Sequence, residues 1–150
     1  MAQIEAAIGL QKPLFLHERD AHPAFINLLA PYKNDLPRCV VHCFTGGREA
    51  LERYLENGFY IGMTGWISDP ARGGHLHALL PLVPEERLLL ETDAPYLLPK
   101  TVRPKPKNRR NEPCYLPEVV RFCAEILGCE PEKLAAVTTA NALRFLGLML

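Results

Sequence analysis

The chain has 150 residues, the length of one ordinary domain, and 48% of them are hydrophobic, which is enough for a sizeable core. Its 17 Lys and Arg residues balance its 17 Asp and Glu residues, and this zero net charge excludes a strongly basic nucleic-acid coat or an acidic disordered tail. No apolar run approaches the ~20 residues of a membrane span, and the first ten residues lack the features of a signal peptide. We therefore expect a cytoplasmic protein without membrane association.

Four short apolar runs predict β-strands over residues 13–16, 39–41, 59–63 and 88–90. Each run is continuous rather than alternating, as is typical of parallel strands that are buried on both faces. Helical patterns lie between them over residues 22–29, 48–57 and 74–80, and two amphipathic helices follow over residues 119–127 and 131–145. The order predicts a single α/β domain over residues 1–150 with about four parallel strands. The pattern alone leaves open an open doubly wound sheet or part of a (β/α)8 barrel.

Three polar residues follow predicted strands at the point where each strand ends: His17, His42 and Asp93. Their spacing corresponds to about one and then two βα units, so two imidazoles and a carboxylate converge on the carboxyl edge of the sheet. Such ligands suit Zn or Mn, whereas an all-oxygen site would suit Mg better. Alternatively, each His is a structural hydrogen-bonded residue, and Asp93 caps the turn before Pro95.

A second pair of histidines, His75 and His77, also has a common metal-ligand spacing. The pair lies in a predicted helix, where side chains two positions apart point about 200° away from each other. We therefore expect both on a surface helix, without joint binding of one ion.

Residues 101–112 (TVRPKPKNRRNE) concentrate positive charge in an otherwise neutral chain. Because this segment follows Asp93 closely, it is either a loop that grips substrate phosphates beside the site or a solvated loop. Trp66 and Tyr96 follow predicted strands at the same edge, where they either stack on bases or lie buried under the loops.

Five stretches of the sequence resemble the TatD family of metal-dependent deoxyribonucleases, within the amidohydrolase-like (β/α)8 barrels. They are residues 13–21 (PLFLHERDA), 41–46 (VHCFTG), 83–97 (VPEERLLLETDAPYL), 110–113 (RNEP) and 138–147 (TTANALRFLG). The resemblance implies the C-terminal half of a TIM-type (β/α)8 metal-dependent hydrolase barrel. It also implies hydrolysis of DNA phosphodiester bonds, typically as a 3′-to-5′ exonuclease on single strands.

The resemblance implies roles for individual residues as well. His17, His42 and Asp93 are expected to bind divalent metal, with one or two Mg, Mn or Zn ions in the complete site. Glu91 and Asp93 are expected to act in catalysis, with Asp93 orienting the attacking water or accepting its proton. Apart from the resemblance, the position of the residues at the same edge leads us to expect that the substrate is bound by Arg19, Trp66, Tyr96, Arg103, Arg110 and Asn111.

Two features of the TatD family have no counterpart in this sequence: the H-x-H that ends its first strand and the metal-bridging Glu that ends its fourth. The chain matches strands five to eight and the trailing helices, whereas a complete barrel needs roughly 250 residues. We therefore expect little nuclease activity from this chain alone, and self-association or pairing with an N-terminal half through open sheet edges. The alternatives are a non-catalytic half-barrel remnant and a hydrolase of small amides or esters.

Overall fold

A parallel β-sheet of four strands forms the centre of the computed structural model, which describes residues 1–148. The strands are β1 (Leu14–His17), β2 (Cys39–His42), β3 (Tyr60–Met63) and β4 (Leu88–Leu90), and they lie side by side in chain order. All three neighbouring pairs are parallel. The four predicted strands are therefore confirmed, with shifts of at most one residue at either end.

Six α-helices connect and flank the strands within residues 1–148. They are α1 (Ala2–Leu10), α2 (His22–Leu29), α3 (Arg48–Glu56), α4 (Leu76–Leu79), α5 (Leu116–Leu127) and α6 (Pro131–Leu146). Both α5 and α6 end at a glycine in the left-handed conformation, Gly128 and Gly147, where a residue with a side chain would be strained. The longest helix has 16 residues, and none of those described has the length and apolar character to cross a bilayer.

The helix predicted over residues 74–80 is shorter than expected. α4 has four residues, and a 3-10 turn at Leu80–Leu82 follows it directly. Pro81 lies in that turn, and it cannot donate the backbone hydrogen bond that would continue an α-helix. The apolar pattern therefore predicted the position of the helix, whereas proline limits its length.

The outer face of the sheet packs against the helices and forms the main hydrophobic core. Alternate positions of the strands supply this face, including Val41, Ile61 and Met63, which are at most 1% exposed. Tyr54 of α3 and Cys123 of α5 are also fully buried in this core. The apolar stripes of the helices thus hold the strands in place from one side.

The opposite, inner face of the sheet has a much smaller apolar cluster, formed by Val40, Tyr60, Leu89 and Phe145. Phe145 comes from α6, and its ring centroid lies 5.4 Å from that of Tyr60. On β1 the side chain that belongs to the inner face, Phe15, is 60% exposed. The expectation that every strand is buried on both faces is therefore wrong for β1, because the neighbouring rings of Phe145 and His42 leave most of Phe15 exposed.

Candidate functional site

The sheet places His17 and His42 side by side at its carboxyl edge. They are register partners in the pair of β1 and β2, so both side chains belong to the inner face. Their ring centroids are 6.1 Å apart. His17 is exposed, whereas the side chain of His42 is 16% exposed. The two imidazoles thus lie together at the predicted edge, and their role as metal ligands stays a prediction.

Glu91 reaches the ring of His42 from the far side of β3. Its carboxylate passes over Gly62, where a Cβ would overlap the Oε1 atom, so the absence of a side chain at position 62 makes room for it. Oε1 accepts a hydrogen bond from the backbone N–H of Cys43 at 2.8 Å and lies 2.9 Å from Nδ1 of His42. Gly62 was not predicted as a site residue, although a glycine inside a strand often marks such a close approach.

The imidazole of His42 lies between two carboxylates. Its Nδ1 faces Glu91, and its Nε2 is 3.2 Å from Oδ1 of Asp93. The contact with Glu91 has the largest effect on the pKa of His42 and raises it above the ordinary value of 6.5. Burial of the ring lowers the pKa, and Asp93 contributes a smaller increase. The net result is a histidine whose protonated form is favoured by its neighbours.

The arrangement fits a divalent ion held by His42 and Asp93. Two ligands about 2.1 Å from one tetrahedral ion lie about 3.4 Å apart, near the 3.2 Å between Nε2 and Oδ1. Nδ1 of His42 is buried without an aligned hydrogen-bond partner, and Glu91 lies on that side of the ring. Metal-binding histidines are commonly oriented by a carboxylate in this position. Among residues 1–148, no three His, Cys, Asp or Glu side chains are grouped closely enough to hold an ion. The metal site therefore stays a prediction.

Asp93 begins a turn that presents Tyr96 to solvent. The backbone N–H of Tyr96 donates to the carbonyl of Asp93 at 2.7 Å, and Tyr96 is 71% exposed. Of the two alternatives for Tyr96, burial under the loops is therefore wrong. Asn111 holds the turn, because its Nδ2 donates to the carbonyl of Tyr96 at 2.7 Å while the residue is 2% exposed. Asn111 thus stabilises this turn, and its predicted contact with substrate stays a prediction.

Trp66 lies beneath two guanidinium groups. The Cζ atom of Arg19 is 4.8 Å from the centroid of the indole, and that of Arg72 is 4.3 Å from it, within range of a cation–π interaction. The indole N–H donates to the carbonyl of Arg72 at 3.3 Å. Trp66 thus holds two cations at the edge of the site, and Arg72 is a member of this group that the sequence did not single out.

Arg103 and Arg110 of the basic segment have different surroundings. Nη1 of Arg103 donates to the carbonyls of Lys100 and Val102 at 2.8 and 2.7 Å, so this guanidinium is folded onto its own loop. Arg110 is exposed, and its backbone N–H donates to the side chain of Asn108. The predicted phosphate contacts of Arg103 and Arg110 are untested.

A buried carboxylate next to His17 was missed by the sequence analysis. Glu18 is 8% exposed, and it accepts hydrogen bonds from the hydroxyl of Tyr54 and the backbone N–H of Ala21, both at 2.7 Å. Burial, and then the hydrogen bond to Glu18, raises the pKa of Tyr54, so that its hydroxyl remains a donor. This contact anchors the turn that carries Arg19. The sequence showed only an acidic residue in a polar stretch, which is usually solvated.

His75 and His77 contact different backbone carbonyls. Nε2 of His75 lies 3.1 Å from the carbonyl oxygen of Thr45, and Nε2 of His77 lies 2.9 Å from that of Ile67. The two rings are therefore turned to separate partners. The expected place of both on a surface helix is wrong, because His75 precedes α4 and His77 is half-buried, with its ring centroid 5.4 Å from that of Phe122.

A parallel sheet with helices on its outer face, and with imidazole and carboxylate groups at its carboxyl edge, is the arrangement of the metal-dependent hydrolases built on (β/α)8 barrels. Comparison with protein families places the chain among them. It belongs to the TatD family, because the family model described as TatD related DNase matches residues 1–147.

Curated relatives are identical to this chain at about half of the aligned positions, and the alignments span nearly the whole of this chain. A protein of Citrobacter rodentium named 3′-5′ ssDNA/RNA exonuclease TatD is 52% identical over 149 residues, and one of the same name from Pectobacterium parmentieri is 54% identical over 147 residues. The alignments cover 99% and 98% of this chain but 57% and 56% of the relatives. The chain therefore spans little more than half the length of these relatives.

Solved structures also match nearly the whole of this chain with about half of their own length. A TatD homologue from Escherichia coli K12 superposes with a TM-score of 0.85 at 26% identity, over 98% of this chain and 54% of its own. A TatD family hydrolase from Entamoeba histolytica has a TM-score of 0.78 at 24% identity, over 91% of this chain and 51% of its own. The predicted fold, half of a TIM-type hydrolase barrel, is confirmed.

Proposed function

We propose that this chain supplies part of the metal centre of a nuclease that hydrolyses single-stranded DNA or RNA from the 3′ end. The observation that carries the proposal is the ring of His42, held between Glu91 and Asp93 at the carboxyl edge of the sheet. The names of the curated relatives support this substrate class. The chain's own activity is a proposal, since it spans little more than half of those relatives.

The donor atoms favour a divalent metal with affinity for nitrogen. TatD nucleases are metal-dependent in general, and imidazole with carboxylate suits Zn or Mn better than Mg. His42 and Asp93 would hold the ion, and the exposed His17 would add a further ligand. When bound, the ion would polarise a phosphoryl oxygen and lower the pKa of water.

The protein residues around the ion have separate tasks in this proposal. Glu91 fixes the orientation of the His42 ring from the Nδ1 side, so that Nε2, which faces Asp93, would bind the ion. Asp93, whose side chain is 36% exposed, accepts a proton from the water that attacks phosphorus. A bond forms between phosphorus and the water oxygen, the bond to the leaving oxygen breaks, and that oxygen takes a proton from solvent. Arg19 neutralises a neighbouring phosphate of the strand in this proposal.

The Asp93→Asn substitution tests the proposal. We expect Mn²⁺-dependent release of nucleotides from 3′-labelled single-stranded DNA, at a low rate because the described residues bring only two donor atoms together. Asp93→Asn should reduce that rate by about 100-fold or more, the typical contribution of a general base. It should also weaken Mn²⁺ binding, measured by electron paramagnetic resonance.

Asp35→Asn is the matched control, because Asp35 is exposed and precedes β2 rather than following a strand. It should leave both cleavage and Mn²⁺ binding unchanged. Cleavage that persists in EDTA, or Mn²⁺ binding that is equal in Asp93→Asn and the parent chain, would contradict the proposed site.

A further inference from the structure

A second feature of the same edge is a cavity of about 210 Å³ lined by four cations and three apolar residues. The cations are Arg72, Lys100, Lys105 and Arg109, and Leu97, Leu98 and Pro99 complete the wall. We call this cavity the basic pocket. Arg103 and Arg110, the two cations of the basic segment that were predicted to bind substrate, are not part of its lining. Such a concentration of positive charge around a concave space is suited to an anion.

The wall of the basic pocket is fixed by a carboxylate that is almost fully buried. Asp69, 6% exposed, accepts hydrogen bonds from Nε of Arg72 at 2.9 Å and from the backbone N–H of Ala71 at 3.0 Å, and it lies 3.5 Å from Nζ of Lys100. The contact with Arg72 is the main reason that the pKa of Asp69 is lowered from its ordinary value of 3.8. Asp69 compensates part of the positive charge and holds two of the four cations in place, so the pocket is positioned in advance.

The two loops that form the basic pocket are also tied to each other. The backbone N–H of Lys100 donates to the hydroxyl of Ser68 at 2.8 Å, and that hydroxyl donates to the carbonyl of Gly65 at 2.6 Å. A Cβ at Gly65 would overlap the carbonyl oxygen of Leu97, so the loops approach each other as closely as their backbones allow. This contact leaves little freedom for the pocket to open or collapse.

Two residues that line the basic pocket have backbone conformations that side chains disfavour. Leu97 has φ of 56° and Arg109 has φ of 53°, both in the left-handed region. Such conformations cost free energy and persist where the surrounding structure requires them, often at ligand sites. In this chain they place the side chain of Arg109 in the same wall as Lys100 and Arg72.

Trp66 connects the basic pocket to the metal site. Arg72, which lines the pocket, lies over the indole, and so does Arg19, which follows His17 by two residues. A row of cations therefore runs from the histidines past Trp66 to the pocket. This is the arrangement with which proteins follow the backbone of a single strand, because each cation meets a phosphate.

We propose that the basic pocket binds a backbone phosphate of the substrate strand, away from the phosphate that is cleaved. This inference rests on the proposed function, since it takes the strand to pass over the metal site. The pocket holds the strand without reading its sequence, because contacts to phosphate carry no base information.

Binding without cleavage tests this assignment. The anisotropy of labelled oligo-dT would be measured between 50 and 200 mM NaCl, a range over which the salt dependence of binding can be determined. EDTA keeps the strand intact. Each phosphate contact to a single strand is expected to contribute roughly 0.7 to the slope of log K against log salt. We expect Arg109→Gln and Lys100→Gln each to weaken binding about threefold or more and to reduce the slope of log K against log salt by about 0.7. Arg109→Lys, which keeps the charge, should keep most of the slope.

Lys107→Gln is the matched control, because Lys107 is exposed and lies in the same loop but not in the lining of the pocket. Its slope should equal that of the parent chain, and circular dichroism should show that all variants are folded. Equal losses in Lys107→Gln and Arg109→Gln would overturn the assignment in favour of a solvated loop. Unchanged slopes in the pocket variants, or no binding of the oligomer by the parent chain, would overturn it as well.

The failure of this inference and the failure of the proposed function give different results. If pocket variants lose binding while Asp93→Asn binds Mn²⁺ as the parent chain does, the phosphate site stands and the proposed metal centre fails. If cleavage depends on Asp93 while pocket variants bind normally, the nuclease proposal stands and the phosphate site fails.

Discussion

Gly62 controls whether Glu91 can reach His42, because the carboxylate occupies the space that a side chain at position 62 would fill. We expect Gly62→Ala to displace Glu91, so that Nδ1 of His42 loses its close contact with the carboxylate and the backbone N–H of Cys43 loses its hydrogen bond. Overpacking of this kind costs about 1–3 kcal/mol of unfolding free energy. Urea unfolding would measure that loss, and electron paramagnetic resonance would show weaker Mn²⁺ binding.

Gly9→Ala is the control for Gly62→Ala. No heavy atom lies within 4 Å of a Cβ placed at Gly9, which is in α1. The added methyl group should stabilise the helix by up to roughly 1 kcal/mol, the opposite sign. If Gly62→Ala retained the stability and the Mn²⁺ affinity of the parent chain, Glu91 would not be the residue that positions His42.

The residues of the site were predictable to the extent that they carry reactive groups at strand ends. His42, Glu91 and Asp93 belong to types that suit metal and acid–base chemistry, and parallel strands bring their carboxyl ends to one edge. Gly62 and Glu18 were missed for a physical reason. Gly62 acts by having no side chain, and Glu18 acts through a hydrogen bond to Tyr54, 36 positions away in the sequence.

At the scale of elements, Asn141 attaches α6 to the start of β4. Its Nδ2 donates to the carbonyls of Glu85 and Leu88 at 2.7 and 2.9 Å, and the residue is 2% exposed. Asn141→Ala leaves two carbonyls without their donor in a buried place, which costs about 1–3 kcal/mol. Asn27→Ala, an exposed position in α2, should change the stability far less. Equal urea midpoints for the two variants would contradict this role.

The strands and helices were largely predictable, because the apolar residues of both pack together on the outer face of the sheet and leave a pattern in the sequence. The length of α4 was not predictable from the apolar pattern. That pattern continues to Leu80, whereas Pro81 cannot donate the next helical hydrogen bond. The exposure of Phe15 was not predictable either. An apolar run shows that a strand is suited to burial on both faces, but not whether a layer covers each face.

At the scale of the whole molecule, the sheet has two unpaired edges in residues 1–148, those of β1 and β4. Phe15, 60% exposed on β1, adds an apolar group next to one of them. Open edges with apolar neighbours favour pairing with another chain. We therefore expect sedimentation velocity to show an average mass above 16.8 kDa that rises with concentration in the micromolar range.

Phe15→Thr distinguishes self-association through the β1 edge from non-specific hydrophobic association. Threonine keeps a preference for strands but removes the exposed ring, so self-association should weaken while the circular dichroism spectrum is retained. Leu28→Gln, an exposed apolar position in α2 that is 45% exposed, should leave the association unchanged. Sedimentation as a monomer at every concentration would contradict the prediction. Equal weakening of self-association by both variants would show that the contact between chains is not specific to the β1 edge. Only Phe15→Thr alters the inner face of the sheet.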